Sequence, residues 1–237
     1  MRVALVCQLI IESVKGIKPH RHVLSVDEKT SIQALSRHEQ RAPRSKGLQK
    51  RKEFEYERNG TTCLIGAFDV AVGKLVHKKI QPTRTEEDFC DFTEELIQLY
   101  PPKDEIVIMA DQLNIHMSES LVRLVAGIIG FEDDLGKKRT SGILYDMESR
   151  KAFLEQPNHR IRFIFTPKHC SWLNPIENWF AKLQKHVIKN GNFSSVKELE
   201  DKIVQYIQYY NNCLVKPLNW KFKGFNKDKP ILHKKVS

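Results

Sequence analysis

The apolar positions of this chain fall into short continuous runs and longer helical stripes, and the two kinds follow one another in a readable order. Continuous runs at 23–26, 106–110 and 161–165 have the length and composition of buried strands. Two stretches rich in β-formers, 61–70 and 74–80, flank Gly73 and predict a hairpin. Between 86 and 100, Phe89, Phe92, Leu96 and Leu99 recur at helical spacing, and Pro101-Pro102 stops the pattern. Helices are also predicted over 118–129 and 147–154. The clearest helix is 175–189. Asn174 sits at its N-cap, and Pro175 takes the first helical position, where its missing N–H would be unpaired anyway. Ile176, Trp179, Phe180, Leu183 and Val187 form its apolar stripe, and Gly191 ends it. Ser194 or Ser195 caps a last helix that runs through Tyr210.

The order is therefore three strands, helix, strand, helix, strand, helix. A hairpin feeding a mixed sheet with helices on its faces is a ribonuclease-H-like α/β arrangement, with a helical insertion at about 130–159 before the last core strand. Order alone fits other α/β folds. The domain spans 21–212. Residues 1–20 are expected as a remnant segment and 213–237 as a basic tail that carries Trp220, Phe222 and Phe225. The polar stretch 36–58 reads as a long solvated loop. It holds Arg37, Arg41, Arg44, Lys46, Lys50, Arg51 and Lys52, broken by Pro43 and Gly47.

Charge sharpens this picture. The 237 residues include 39 lysines and arginines against 29 aspartates and glutamates, a net charge of +10. A pI near 9.3 favours a polyanionic partner. The 5 cysteines are odd in number and form no CxxC pair, which argues against a disulfide framework or a zinc knuckle and fits a reducing cytoplasm. The apolar run at 3–12 is too short to span a bilayer and has no small-residue cleavage site, so no membrane partner is expected.

Three carboxylates carry the candidate chemistry. Asp27 and Asp111 each end an apolar run, and Glu177 lies in the first turn of the 175–189 helix. Hard divalent cations take oxygen ligands, and paired ions can serve the attacking and leaving oxygens of an in-line displacement. Without a cation the cluster is unfavourable: two like charges ~5 Å apart repel by about 3 kcal/mol at an effective dielectric of 20. Each acid also has a plainer role. A strand-end aspartate commonly caps a turn, and Glu177, three residues after Asn174, could close a capping box. Glu28 should point to the opposite face from Asp27 and is not expected as a ligand. His116 reads equally as a surface residue or as a support for the site. His169 and Cys170 beside Trp172 read as loop packing rather than a metal corner.

The motifs resemble those of DDE transposases of the mariner superfamily, in the bacterial insertion-sequence six-thirty branch. VLSVDEKTSIQALSR (23–37), FEYERNGT (54–61) and PTRTEEDF (82–89) are similar to the first-aspartate block. IVIMADQLNIH (106–116) is similar to the second, and FTPKHCSWLNPIENWF (165–180) to the glutamate block. The similarity runs from about residue 18 to about 224. It implies that Asp27, Asp111 and Glu177 are a catalytic triad holding Mg²⁺ or Mn²⁺, with His116 and Asn174 in support. It also implies DNA strand cleavage followed by strand transfer.

Three departures stand out. Gln112 replaces the asparagine usual after the second aspartate. The interval between Asp111 and Glu177 is longer than is common in the family. Too few residues precede Asp27 for the family's end-recognising helix-turn-helix region, so the chain is expected to be the catalytic half alone. The expected partners are then transposon-end and target DNA, a separately encoded helix-turn-helix protein and a second copy in a homodimer. DNA contacts are expected from Arg37, Arg41, Arg44, Lys50 and Arg51, from Lys137 and Lys138 in the insertion, and from Lys168. The setting is a bacterial or archaeal cytoplasm, at the nucleoid. An inactive DNA-binding relic and a ribonuclease-H-like nuclease without strand transfer are the alternatives.

Overall fold

A computed structural model describes residues 2–37 and 56–225. Its elements run α1 (Arg2–Val14), β1 (Arg21–Ser36), β2 (Glu57–Asp69), β3 (Lys74–Gln81), α2 (Glu86–Gln98), β4 (Glu105–Ala110), α3 (Glu119–Ile129), α4 (Met147–Leu154), β5 (Ile161–Phe165), α5 (Pro175–Leu183) and α6 (Val196–Tyr209). The sheet order is β3-β2-β1-β4-β5. β1 pairs antiparallel with β2, and β2 with β3, while β4 and β5 run parallel to β1. The predicted mixed sheet and order of elements are present.

Alternation along β1 sorts its side chains onto two faces. Leu24 and Val26 pack with Phe89, Phe92 and Leu96 of α2 and Leu121, Val122 and Val125 of α3. Phe153 and Leu154 of α4 join this cluster, so the insertion helix helps to close the core. On the other face, α5 and α6 bury Trp179, Phe180, Leu183, Ile203 and Ile207 against Leu64 and Phe68 of β2.

Several expected boundaries move. β1 does not end at Asp27 but continues to Ser36, where it still pairs with Glu57. The two strands bury Ile32, Ala34 and Leu64 against the α5–α6 layer, which keeps them paired beyond the sheet centre. Residues 36, 57 and 58 are therefore strand rather than loop. The segment expected as a remnant, 1–20, contains α1, whose Val6, Cys7, Leu9 and Ile10 are buried with Val23, Val107, Met109 and Ile164. The apolar run at 3–12 lies in a core helix that buries one face of it and leaves Leu5 exposed. Leu218, Trp220 and Phe222 of the expected tail pack against that same cluster. The 175–189 helix widens into a π-turn at Gln184–Ile188. Leu99 lies just past α2 and is exposed.

Two glycines answer to close approaches. Gly73 closes the β2–β3 turn with a positive φ of 81°. A Cβ there would also sit 2.0 Å from the Lys216 carbonyl oxygen. Gly66, paired with Asp27 across β1 and β2, lies under α5. A Cβ on it would stand 3.1 Å from Ile176 Cδ1 and 3.3 Å from Leu75 Cδ1. The bare backbone at Gly66 lets the helix carrying Glu177 lie close to the strand carrying Asp27.

Candidate active site

Ser25 and Asp27 share the β1 face that meets the start of α5. The β1–β4 register pairs Ser25 with Met109. Carried two residues further, it sets Asp111, the residue after β4, beside Asp27, and neighbouring strands lie about 4.8 Å apart. The structure thus brings Asp111, just past the end of β4, towards Asp27 on β1.

Hydrogen bonds join the start of α5 to this place. Asn174 Nδ2 donates to the Val26 carbonyl at 3.0 Å and to Asp27 Oδ2 at 3.1 Å. The Ser25 hydroxyl donates to Asn174 Oδ1 and accepts the Ile176 N–H at 2.9 Å. Asn174 occupies the N-cap position, as its sequence context predicts, but its side chain does not cap its own helix. Ser25 supplies an acceptor for a first-turn N–H instead, from a neighbouring strand. No capping box forms between Asn174 and Glu177, so the plainer role for Glu177 is absent. Glu177 is exposed in the first turn of α5.

Asp111 is held from its other side. Its Oδ1 accepts the Leu113 N–H at 3.0 Å and lies 2.8 Å from His116 Nδ1. His116 is fully buried, so it is not a surface histidine. Gln112 donates to the Thr166 carbonyl at 2.8 Å, tying the end of β4 to the segment after β5. The residue that departs from the family pattern therefore does structural work next to the site.

The electrostatics are uneven. Burial, then the charge of Glu28, with smaller effects from Asp111 and Glu177, push the Asp27 carboxyl up to about 7, against the 2.8 Å bond from the Glu28 N–H. Burial also pushes Asp111 up, but the hydrogen bond and charge of His116, the Leu113 N–H and Arg84 outweigh it. Asp111 ends below the usual carboxylate range. Burial pulls the His116 ring down, and its bonds to Asp111 and Glu28 more than reverse this, to about 10.

Among the described residues, no three histidine, cysteine or acidic side chains are drawn together tightly enough to cage an ion. The donor chemistry nevertheless fits a hard divalent cation, since all three candidate ligands are carboxylates. Asp27 is also buried among like charges that such a cation would offset.

The basic residues scatter. Arg37 is tied down, its backbone N–H donating to Asn192 Oδ1 at 2.7 Å and its guanidinium to the Gly191 carbonyl at 3.4 Å. Arg41, Arg44, Lys50 and Arg51 lie outside the described residues. Lys137 and Lys138 are exposed in a turn closed by Lys137–Ser141 pairing. Lys168 is exposed between β5 and α5. Ser25 was not singled out from sequence, and Glu28 was considered there only as a ligand and set aside. Ser25 had a signal: a hydroxyl inside a buried run must find a partner.

The family profile for DDE superfamily endonucleases matches residues 22–200. No curated protein matches the chain. Among solved structures, the Mos1 mariner paired-end complex with Mn superposes at a TM-score of 0.55 and 12% identity, over 87% of this chain and 54% of that one. The Mos1 strand transfer complex gives 0.54 and 12%, over 90% and 53%. The Mos1 transposase catalytic domain with raltegravir and Mg gives 0.52 and 9%, over 87% and 81%. The chain spans about half the length of the first of these, 54%, and at such identity the likeness establishes the ribonuclease-H-like fold. With the profile covering most of its length, the chain belongs to the DDE superfamily of endonucleases.

Proposed function

We propose that this chain is the catalytic domain of a DNA transposase, cutting DNA at the ends of a mobile element and joining them to target DNA. The observation that supports it best is the junction of β1, β4 and α5. The charges of Asp111 and Glu177 both reach Asp27 there, and Asn174 fastens the helix bearing Glu177 to Asp27. Asp27, Asp111 and Glu177 would hold Mg²⁺ or Mn²⁺, which supplies charge neutralisation at the phosphate and eases formation of the nucleophile.

In the cleavage step, water displaces the 3′ oxygen of a phosphodiester at the element end, leaving a 3′-hydroxyl and a 5′-phosphate. In the joining step, that 3′-hydroxyl oxygen attacks a target phosphodiester. One P–O bond forms, another breaks, and a 3′-hydroxyl is released on the target. The chain's own residues mainly position. Ser25 and Asn174 keep α5 in register with Asp27, and His116 engages one oxygen of Asp111. Arg37, Arg41, Arg44, Lys50, Arg51, Lys137, Lys138 and Lys168 serve phosphate contacts, in keeping with the net charge of +10. DNA and the divalent cation are carried over from the Mos1 complexes on likeness. End recognition by a helix-turn-helix protein and pairing of two copies complete this reading, at the nucleoid of a bacterial or archaeal cytoplasm. None of the described helices is long and apolar enough to cross a membrane.

The test is incubation with pre-cut duplex ends and a target plasmid in Mg²⁺ or Mn²⁺. Joined product is expected, and its loss in Asp27→Asn, Asp111→Asn and Glu177→Gln. Metal-dependent hydrolysis with no joined product would favour a simple nuclease. Unchanged joining in Glu177→Gln would remove that residue from the triad.

A further inference from the structure

The segment between β5 and α5 and the chain after α6 meet in a patch that the phosphoryl-transfer site does not use. Trp172 stands in the short turn Ser171–Leu173, two residues before Asn174, and is 49% exposed. Phe222 and Phe225 lie against it, with ring centroids 5.4 and 6.5 Å away and 5.3 Å from each other. Phe225 is 70% exposed. Single exposed apolar residues are ordinary, but two exposed aromatic rings from separate segments, gathered over the half-buried Phe222, point to an interaction. Lys168, Lys221 and Lys223 are exposed on the same two segments, and none has an acidic partner among the described residues.

We propose that Trp172, Phe222 and Phe225 form a stacking platform for an unpaired nucleobase, with the three lysines on the adjoining phosphates. A ligand that is flat and aromatic at one end and anionic at the other matches rings beside unpartnered ammonium groups. Within a duplex both faces of each base are covered by neighbours, so the fitting ligand is a nucleotide outside the stack. The location gives it a purpose. Trp172 is two residues from Asn174, which bonds Asp27, so the platform would serve a nucleotide of DNA engaged by the domain. This rests on the reading of the chain as acting on DNA.

The test titrates the full chain, without metal and at fixed salt, with an oligothymidylate about eight nucleotides long and with a blunt hairpin duplex. Trp172→Leu and Phe225→Leu keep apolar bulk and remove the rings. The double variant should bind the oligothymidylate at least about tenfold more weakly and the duplex as before, and Trp172→Tyr should restore most of the loss. Equal losses on both ligands, or none on either, would overturn the platform. Wild-type binding to duplex alone would overturn it and leave the proposed function standing, whereas binding to neither ligand would remove the DNA reading as well. A concentration-dependent dimer that disappears in Trp172→Leu would reassign the patch to a contact between copies.

Discussion

Glu28 Oε1 lies 2.8 Å from His116 Nε2, and both side chains are almost wholly buried. The other ring nitrogen of His116 faces Asp111 Oδ1. Glu28 points away from Asp27, as strand alternation requires, yet it reaches the second aspartate through the imidazole. A residue expected to stand aside is joined to the site by one intervening ring.

Removing the Glu28 carboxylate should therefore cost more than its position suggests. Glu28→Ala leaves a buried ring nitrogen without a partner, a loss of roughly 1–3 kcal/mol in a denaturant melt. Cleavage and Mn²⁺ affinity should fall by about 10–100-fold, as when the outer partner of a metal ligand is lost. Glu28→Gln keeps an acceptor for the ring and should recover most of both. Wild-type stability in Glu28→Ala would show that the contact contributes nothing.

The raised Asp27 carboxyl makes metal-free stability depend on pH. Its folded pKa of about 7 stands above the 3.8 of an ordinary aspartate, so the folded chain binds this proton more tightly than the unfolded chain. That contribution is complete below about pH 4 and is lost as pH rises through about 7. In EDTA, Asp27→Asn should gain on wild type by on the order of 2 kcal/mol between pH 5 and pH 8. Saturating Mg²⁺ should raise the wild-type melting temperature at pH 8 and leave Asp27→Asn nearly unmoved. A gap that stays constant with pH would place the Asp27 pKa near its ordinary value.

Ser25 offers a way to loosen the site without touching an acid. Ser25→Ala strips the acceptor from the Ile176 N–H and the donor from Asn174 Oδ1. A helix start deprived of its cap costs about 1 kcal/mol, and Ser25→Ala should cost at least that in chemical unfolding. Cleavage should fall several-fold, with DNA affinity unchanged. Asn174→Ala should lower cleavage further, because it also frees Asp27. Full activity in both variants would mean that α5 is placed by its apolar stripe alone.

Ile10 tests whether α1 belongs to the domain. It is completely buried against the sheet. Ile10→Ala should destabilise the whole domain in one cooperative transition, by roughly 2–5 kcal/mol. A separate early transition, with the main one unmoved, would show that α1 folds apart from the sheet.

These relationships divide into those legible in the sequence and those that were not. Strand runs, the hairpin around Gly73 and the stripe of α5 were readable because local pattern and final burial agree there. The extension of β1 to Ser36 was not, because polar residues at its far end are held by pairing with β2 rather than by their own preference. α1 is obscured because residues 3–11 are apolar but for Gln8, so no helical stripe stands out against a polar face. In the candidate site, Asp27 and Asp111 stand out in the sequence by their positions at the ends of apolar runs. The His116 bonds and the true work of Asn174 depend on which side chains face each other across chain segments far apart in sequence. No spacing rule encodes that.

The length of β1 also sets a distance. From Asp27 to the Ser36–Glu57 pair, nine strand residues rising about 3.3 Å each span at most roughly 30 Å, less the shortening at the register shifts between Lys29 and Ile32 and between Gln33 and Leu35. Duplex DNA advances 3.4 Å per base pair, so under the proposed function a contact made at Ser36 would fall at most about nine base pairs from a phosphate held at Asp27. On straight duplex, the stretch of β1 from Asp27 to Ser36 would gauge a footprint of up to about one turn of the double helix, with chemistry at one limit and grip at the other.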